Sequence, residues 1–146
     1  MSLRKRFGTS KSLVEEGAWM EITENEDGTL CRLRVKRTNQ QNTAFQKQLA
    51  NHRKAYETDF YSERKIDQAQ ASMIEILAET VIVGWENVED WETPAPTGPV
   101  QPPPVKLPYN KDNARRMLRE FPDLANLVME FAQDLTNYQK KEEIKN

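Results

Sequence analysis

Apolar and polar residues alternate on both sides of "NEDG" (residues 25–28). Ala18, Met20 and Ile22 take every second position before it, and Cys31, Leu33 and Val35 do so after it. Period two around a turn-forming tetrapeptide predicts an antiparallel β-hairpin. The opposite faces set Glu21 against Arg32, Arg34 and Lys36, and cross-strand attraction of this kind adds about 0.2–1 kcal/mol per pair. A lone hairpin is marginal in water, so its apolar face needs a cover.

The period then changes. After "TNQQN" (38–42), in which Asn39 or Asn42 suits an N-cap, Phe45, Leu49, Tyr56 and Phe60 return to one helix face, while Lys47, Gln48, Arg53, Lys54 and Glu57 occupy the other. Ile66, Met73, Ile74, Leu77, Val81 and Ile82 form a second amphipathic stripe. "DFYSERK" between them contains no glycine or proline, and a turn is placed near Ser62. "VIVGW" (81–85) is β-branched and loses helical polarity, with Gly84 as a stop. Trp85 closes the core of this first module, and Trp91, beside Glu89, Asp90 and Glu92, is the more exposed of the two indoles.

Residues 92–108 hold all but one of the eight prolines. Fixed φ and missing donors keep such a segment out of helices and sheet interiors, so it is predicted to run extended at about 3.1 Å per residue. Beyond it, Asn110 is placed as an N-cap, Asp112 suits the positive end of a helix dipole, and Met117 with Leu118 supplies an apolar side. Pro122 fits the first turn of another helix, whose stripe is Leu124, Leu127, Val128, Phe131, Leu135 and Tyr138.

The resulting expectation is an α+β chain, mainly α. It comprises a flexible basic arm (1–12), a hairpin packed on amphipathic helices (13–91), a Pro-rich linker (92–108), a C-terminal two-helix module (109–140) and a frayed tail (141–146). Trp19, Trp85, Tyr109 and Phe131 are the structural anchors. The 146 residues carry 21 lysines and arginines against 23 acids, a net charge of −2, which argues against nucleic-acid binding by bulk charge. No apolar run approaches the roughly 18 residues of a membrane span. The start "MSLRKRFGTSKS" is basic without a signal-like apolar stretch, and Cys31 stands alone, so a cytosolic setting is expected.

The residues offer no catalytic constellation. His52 is the single histidine and lies among polar neighbours; Cys31 falls on the apolar face of a strand; the five glycines are scattered and form no phosphate loop. Carboxylate pairs such as Glu15 with Glu16 and Glu142 with Glu143 sit in polar segments and are poor acid/base candidates. No catalytic residue, metal site or cofactor is expected. Exposed apolar side chains on short helices suit protein docking instead, and Phe45, Leu49, Tyr56 and Trp91 are the candidates for partner contact, the first three serving equally well as core.

The order of pieces carries a resemblance. "EEGAWMEI", a charged strand, a helix rich in Gln and Lys, "ILAETVIVGWENVED", a variable insert and "LPYNKDNARRMLREFPDL" before a closing amphipathic helix resemble the tail assembly chaperones of long-tailed bacteriophages, from Glu15 to Tyr138. The sharpest parts are Gly84-Trp85 with Val88, and Leu107-Pro108-Tyr109 with Asn113 and Ala114. The long proline insert departs from the family pattern, where a short turn stands. The resemblance implies a non-enzymatic protein of the host cell cytoplasm that coats the tape measure protein until tail tube subunits polymerise, and that the mature virion does not retain. It also implies a frameshifted extension that recruits the major tail protein, with which "QKKEE" is compatible; that no membrane or nucleic-acid partner is expected follows from the balanced charge and the missing apolar span. Weak homo-oligomerisation fits the same picture. The alternative is a small structural or connector protein of the tail, with a nucleic-acid-binding regulator using the basic arm as a third reading.

Overall fold

The computed structural model describes residues 2–56, 63–92, 98–99 and 104–140. In chain order they form α1 (Leu3–Phe7), α2 (Lys11–Glu16), β1 (Ala18–Glu24), β2 (Leu30–Val35), α3 (Thr43–Tyr56), α4 (Glu63–Thr80), β3 (Ile82–Glu86), α5 (Lys111–Glu120), α6 (Pro122–Gln133) and a closing 3₁₀ turn (Leu135–Tyr138). The fold is α+β, with an antiparallel sheet in the order β1-β2-β3.

The expected hairpin is present, with Met20 opposite Leu33 and Glu21 opposite Arg32. Its inward face buries Ala18, Met20, Leu33 and Val35. The outward face works differently from a simple acid–base ladder. Arg32 reaches across to Glu86 of β3 at 2.8 Å, Arg34 to Glu16 at 3.2 Å, and both guanidiniums lie over Trp19, at 4.3 and 5.4 Å from ring centroids. Trp19 is thus a platform for cations on the outer face, contributing about 0.5–1 kcal/mol per stacked cation at such partly exposed sites.

A third strand joins where the sequence suggested only the end of a helix. Leu33 pairs with Trp85 and Val35 with Ile82, and the register shift between them leaves Val83 as the extra residue of a bulge, 36% exposed. The bulge lets both Ile82 and Trp85 face inward although three positions separate them.

The turn between β1 and β2 is held by Asp27, whose carboxylate accepts from the backbone N–H of Thr29 at 3.0 Å and from its hydroxyl at 2.6 Å, and pairs with Lys106 at 3.0 Å. The Thr29 hydroxyl and backbone bonds, then Lys106, hold the Asp27 carboxyl down at about 2, from an ordinary 3.8. A depressed carboxylate stabilises the fold above its unfolded pKa and loses that contribution as pH falls through its folded one. Asp27→Asn is therefore expected to lower Tm at neutral pH. The difference from the parent chain should close between pH 3.8 and about 2, read by thermal denaturation across that range.

Helix starts follow local chemistry. Asn42 caps α3, its Oδ1 accepting from the Phe45 N–H at 3.1 Å, and Asn110 caps α5, accepting from Asn113 at 2.7 Å. Pro122 opens α6, where a missing N–H costs nothing. The N-terminal stretch differs from a plain arm: Ser2 caps α1 and Ser10 caps α2, and the Ser10 N–H donates to the Tyr138 carbonyl at 2.8 Å. The turn placed near Ser62 and Phe60 lie outside the described residues, as do residues 93–97 and 100–103 of the Pro-rich linker and the tail 141–146.

Both sides of the linker share a single core. Leu33, Val35, Ile76, Leu77, Val81, Ile82 and Trp85 cluster with Ala114, Met117, Leu118, Val128 and Ala132. The linker's ends also meet: Asp90 N–H donates to the Val105 carbonyl at 2.8 Å and Leu107 N–H to the Val88 carbonyl at 2.7 Å, bridging Glu89 with Lys106. The proline segment leaves and returns at one place, so its reach does not separate the helices on either side of it.

Candidate protein-docking site

An open groove of about 490 Å³ runs between α4 and α6. From α4 come Gln70, Ala71, Met73, Ile74 and Leu77, and from α6 Pro122, Ala125, Asn126 and Met129, with Arg119 of α5 at one end. The i, i+3, i+4, i+7 spacing of the α6 set places all of it on one face. Leu77 is fully buried and forms the floor. Ala71 and Ala125 keep the groove open, because methyl side chains leave room that Leu or Phe would fill. Met73 and Met129 line it with unbranched, polarisable thioethers that adapt to an irregular partner.

The walls are fixed by charge. Arg115, its side chain 20% exposed, bonds Glu75, Glu79 and Asp112, and Arg119 pairs with Glu75 at 2.6 Å. These contacts tie α4 to α5 and hold the helix on which Met73 and Ile74 sit. Beyond the Pro122 end, Phe121 is 42% exposed and meets Trp91 edge to face with centroids 5.7 Å apart. Arg116 lies over Trp91 and pairs with Glu92 at 2.6 Å. Leu127, on the outer side of α6, is 49% exposed.

Of the four residues predicted for partner contact, the three whose side chains are described do not share one site. Phe45 is buried in the core, Leu49 is half-buried against it, and the side chain of Tyr56 lies outside the described residues. Trp91 is half-buried on Phe121, the residue that precedes the groove's Pro122. Among the anchors, Trp85 is buried, donates its indole N–H to the Leu107 carbonyl at 2.9 Å and stacks edge-on with Tyr109, whose hydroxyl donates to the Ile82 carbonyl at 2.9 Å. Phe131 packs on Tyr138, which is buried and donates to the Val35 carbonyl at 2.9 Å. Trp19 faces outward. The groove was not singled out from sequence, although Met73, Ile74 and Leu77 were read as one stripe; the small residues Ala71 and Ala125 were the available signal.

Cys31 is half-buried, and desolvation pushes its thiol up, which disfavours the thiolate a nucleophile requires. Among the described residues no group of three or more His, Cys, Asp or Glu side chains is placed to hold a metal ion, and no helix is long and apolar enough to cross a membrane.

A family model described as YdaY prophage protein matches residues 37–146, a stretch that includes α3 to α6 and every residue lining the groove. No curated protein and no solved structure matches the chain.

Proposed function

We propose a function on one premise: the chain belongs to the YdaY prophage protein family and is phage-derived. The function is that of a tail assembly chaperone, a non-enzymatic protein of the host cytoplasm that binds the tape measure protein and keeps it soluble until the tail tube polymerises. The observation that carries this reading is the groove between α4 and α6, apolar, lined by two methionines and held open by alanines. Its shape and chemistry suit an amphipathic helix laid in with its i, i+3, i+4 and i+7 side chains downward. A tape measure protein is a long helical client whose apolar stripes are bare before assembly. One shallow groove gives a weak contact, and repetition along such a client gives retention through avidity while leaving each contact open to displacement by tube subunits. The same reading gives the major tail protein as a second partner, through a frameshifted extension.

Co-expression with the phage's own tape measure protein tests this. The client is expected in the soluble fraction only with this chain present, and to co-elute with several copies of it. Ala71→Glu, at an exposed position on the groove wall, places a carboxylate under the client's apolar face and is expected to weaken binding by at least about tenfold, the effect of roughly 1.4 kcal/mol. A client soluble by itself, or stoichiometric recovery of this chain from purified virions by mass spectrometry, would replace the chaperone with a structural tail component.

A further inference from the structure

The N-terminal helix and the groove are complementary, although neither fills the other within one chain. On α1, Leu3 and Phe7 stand four residues apart on one face, 78% and 57% exposed. Arg4 and Arg6 flank that stripe and Lys5 lies behind it. Among the described residues, Arg4, Lys5, Arg6 and Lys11 make no ion pair, whereas Arg32, Arg34, Lys106, Arg115, Arg116 and Arg119 all do. α1 is presented firmly: the Gln139 side-chain amide donates to the carbonyls of Arg6 at 2.9 Å and Gly8 at 3.1 Å. Both apolar side chains therefore project from an anchored support, which lowers the ordering cost of binding.

The groove offers the converse. Its floor is apolar, and among the described residues its one lining cation, Arg119, is already paired with Glu75. On α6, Asp123 and Glu130 lie one stripe outward from Pro122, Asn126 and Met129, exposed and without an ion-pair partner among the described residues. A short helix entering with Leu3 and Phe7 down brings its flanking cations to that acidic edge.

We infer that α1 of one copy docks in the α4–α6 groove of a second copy, so that the free protein associates head to tail and covers its own docking surface. The two halves of the contact are different patches, so each copy keeps one unused half and the assembly grows as a chain or closes as a ring. A client helix then competes for a groove that would otherwise expose apolar surface to water. The inference concerns the protein alone and stands or fails independently of the client reading.

Sedimentation velocity on the purified chain over a concentration series tests it. The parent chain is expected to grow in mass with concentration, and added salt to weaken the association, because the flanking charges are exposed and screened. Phe7→Asp and Ala71→Glu, both at exposed positions, are each expected to stay monomeric with unchanged circular dichroism. Mixed together, the two variants retain one intact groove and one intact α1 between them, and are expected to form a species of two chains and no larger. A parent chain that stays monomeric throughout the series overturns the inference, as does self-association that neither variant reduces, or a mixture that behaves as its separate components.

Discussion

Trp85→Ala is expected to lower the unfolding free energy by about 3–5 kcal/mol, the range for removing a large buried aromatic, and to do so in a single transition. The side chain is 9% exposed and faces Leu33 across the sheet. Its indole N–H donates to Leu107 and its ring meets Tyr109, so the loss falls on both sides of the proline segment. Truncation opens a cavity under β2 and leaves the Leu107 carbonyl without that donor. Urea unfolding followed by far-ultraviolet circular dichroism and by fluorescence of the other two tryptophans, Trp19 and Trp91, reads the result. Coincident transitions at lower urea agree with a core shared by the N-terminal sheet and the C-terminal helices. Two separated transitions, with only one displaced, would mean that the halves unfold independently.

Asn42→Ala is the second large effect, expected at about 1.5–5 kcal/mol. Asn42 is 3% exposed. Its Oδ1 caps α3 through the Phe45 N–H, while its Nδ2 donates to the carbonyl of Arg37 at 2.9 Å and to that of Thr80, the last residue of α4, at 2.8 Å. Loss of the cap costs about 0.5–2 kcal/mol, and a buried carbonyl left without its donor about 1–3 kcal/mol more. Asn42→Asp separates the two roles, because it retains the acceptor for Phe45 and removes the donor to Thr80 and Arg37. It is expected to remain well below the parent chain in urea midpoint, since a carboxylate facing two carbonyls adds repulsion. Equality of Asn42→Asp with the parent would show that capping alone matters.

These two residues also mark where sequence reading succeeds and where it stops. Alternation made β1 and β2 legible because one face of each is buried and the other carries charge. Asn110, Asp112 and Pro122 announced α5 and α6 through interactions confined to neighbouring residues. β3 was not legible as a strand, because the bulge at Val83 breaks the period and the partner strand lies some fifty residues upstream. The N-terminal turns escaped for a related reason: α1 and α2 are too short to show a period, and they are held by Tyr138 and Gln139 from the far end of the chain. Asn42 was visible as a cap, but its bond to Thr80 depends on how α3 meets α4.

At the candidate docking site, the apolar stripes of α4 and α6 could be read while the groove between them could not. Phe45 and Met73 look alike in a helical pattern. Packing buries the first under the sheet, and the small side chains at Ala71 and Ala125 leave the second at the edge of open space. The resemblance to tail assembly chaperones drew on the same residues, Gly84, Trp85 and Leu107 to Tyr109, that the fold uses to close its core around the linker.

Methionine methyl resonances test the central claim most directly. Met73 and Met129 line the groove, whereas Met20 and Met117 are buried in the core at 8% and 3% exposure. With methyl-labelled protein titrated by a helical segment of the tape measure protein, the Met73 and Met129 signals should shift to saturation while those of Met20 and Met117 hold their positions. Binding that leaves Met73 and Met129 unmoved would place the segment elsewhere on the molecule and contradict the groove as the proposed docking surface.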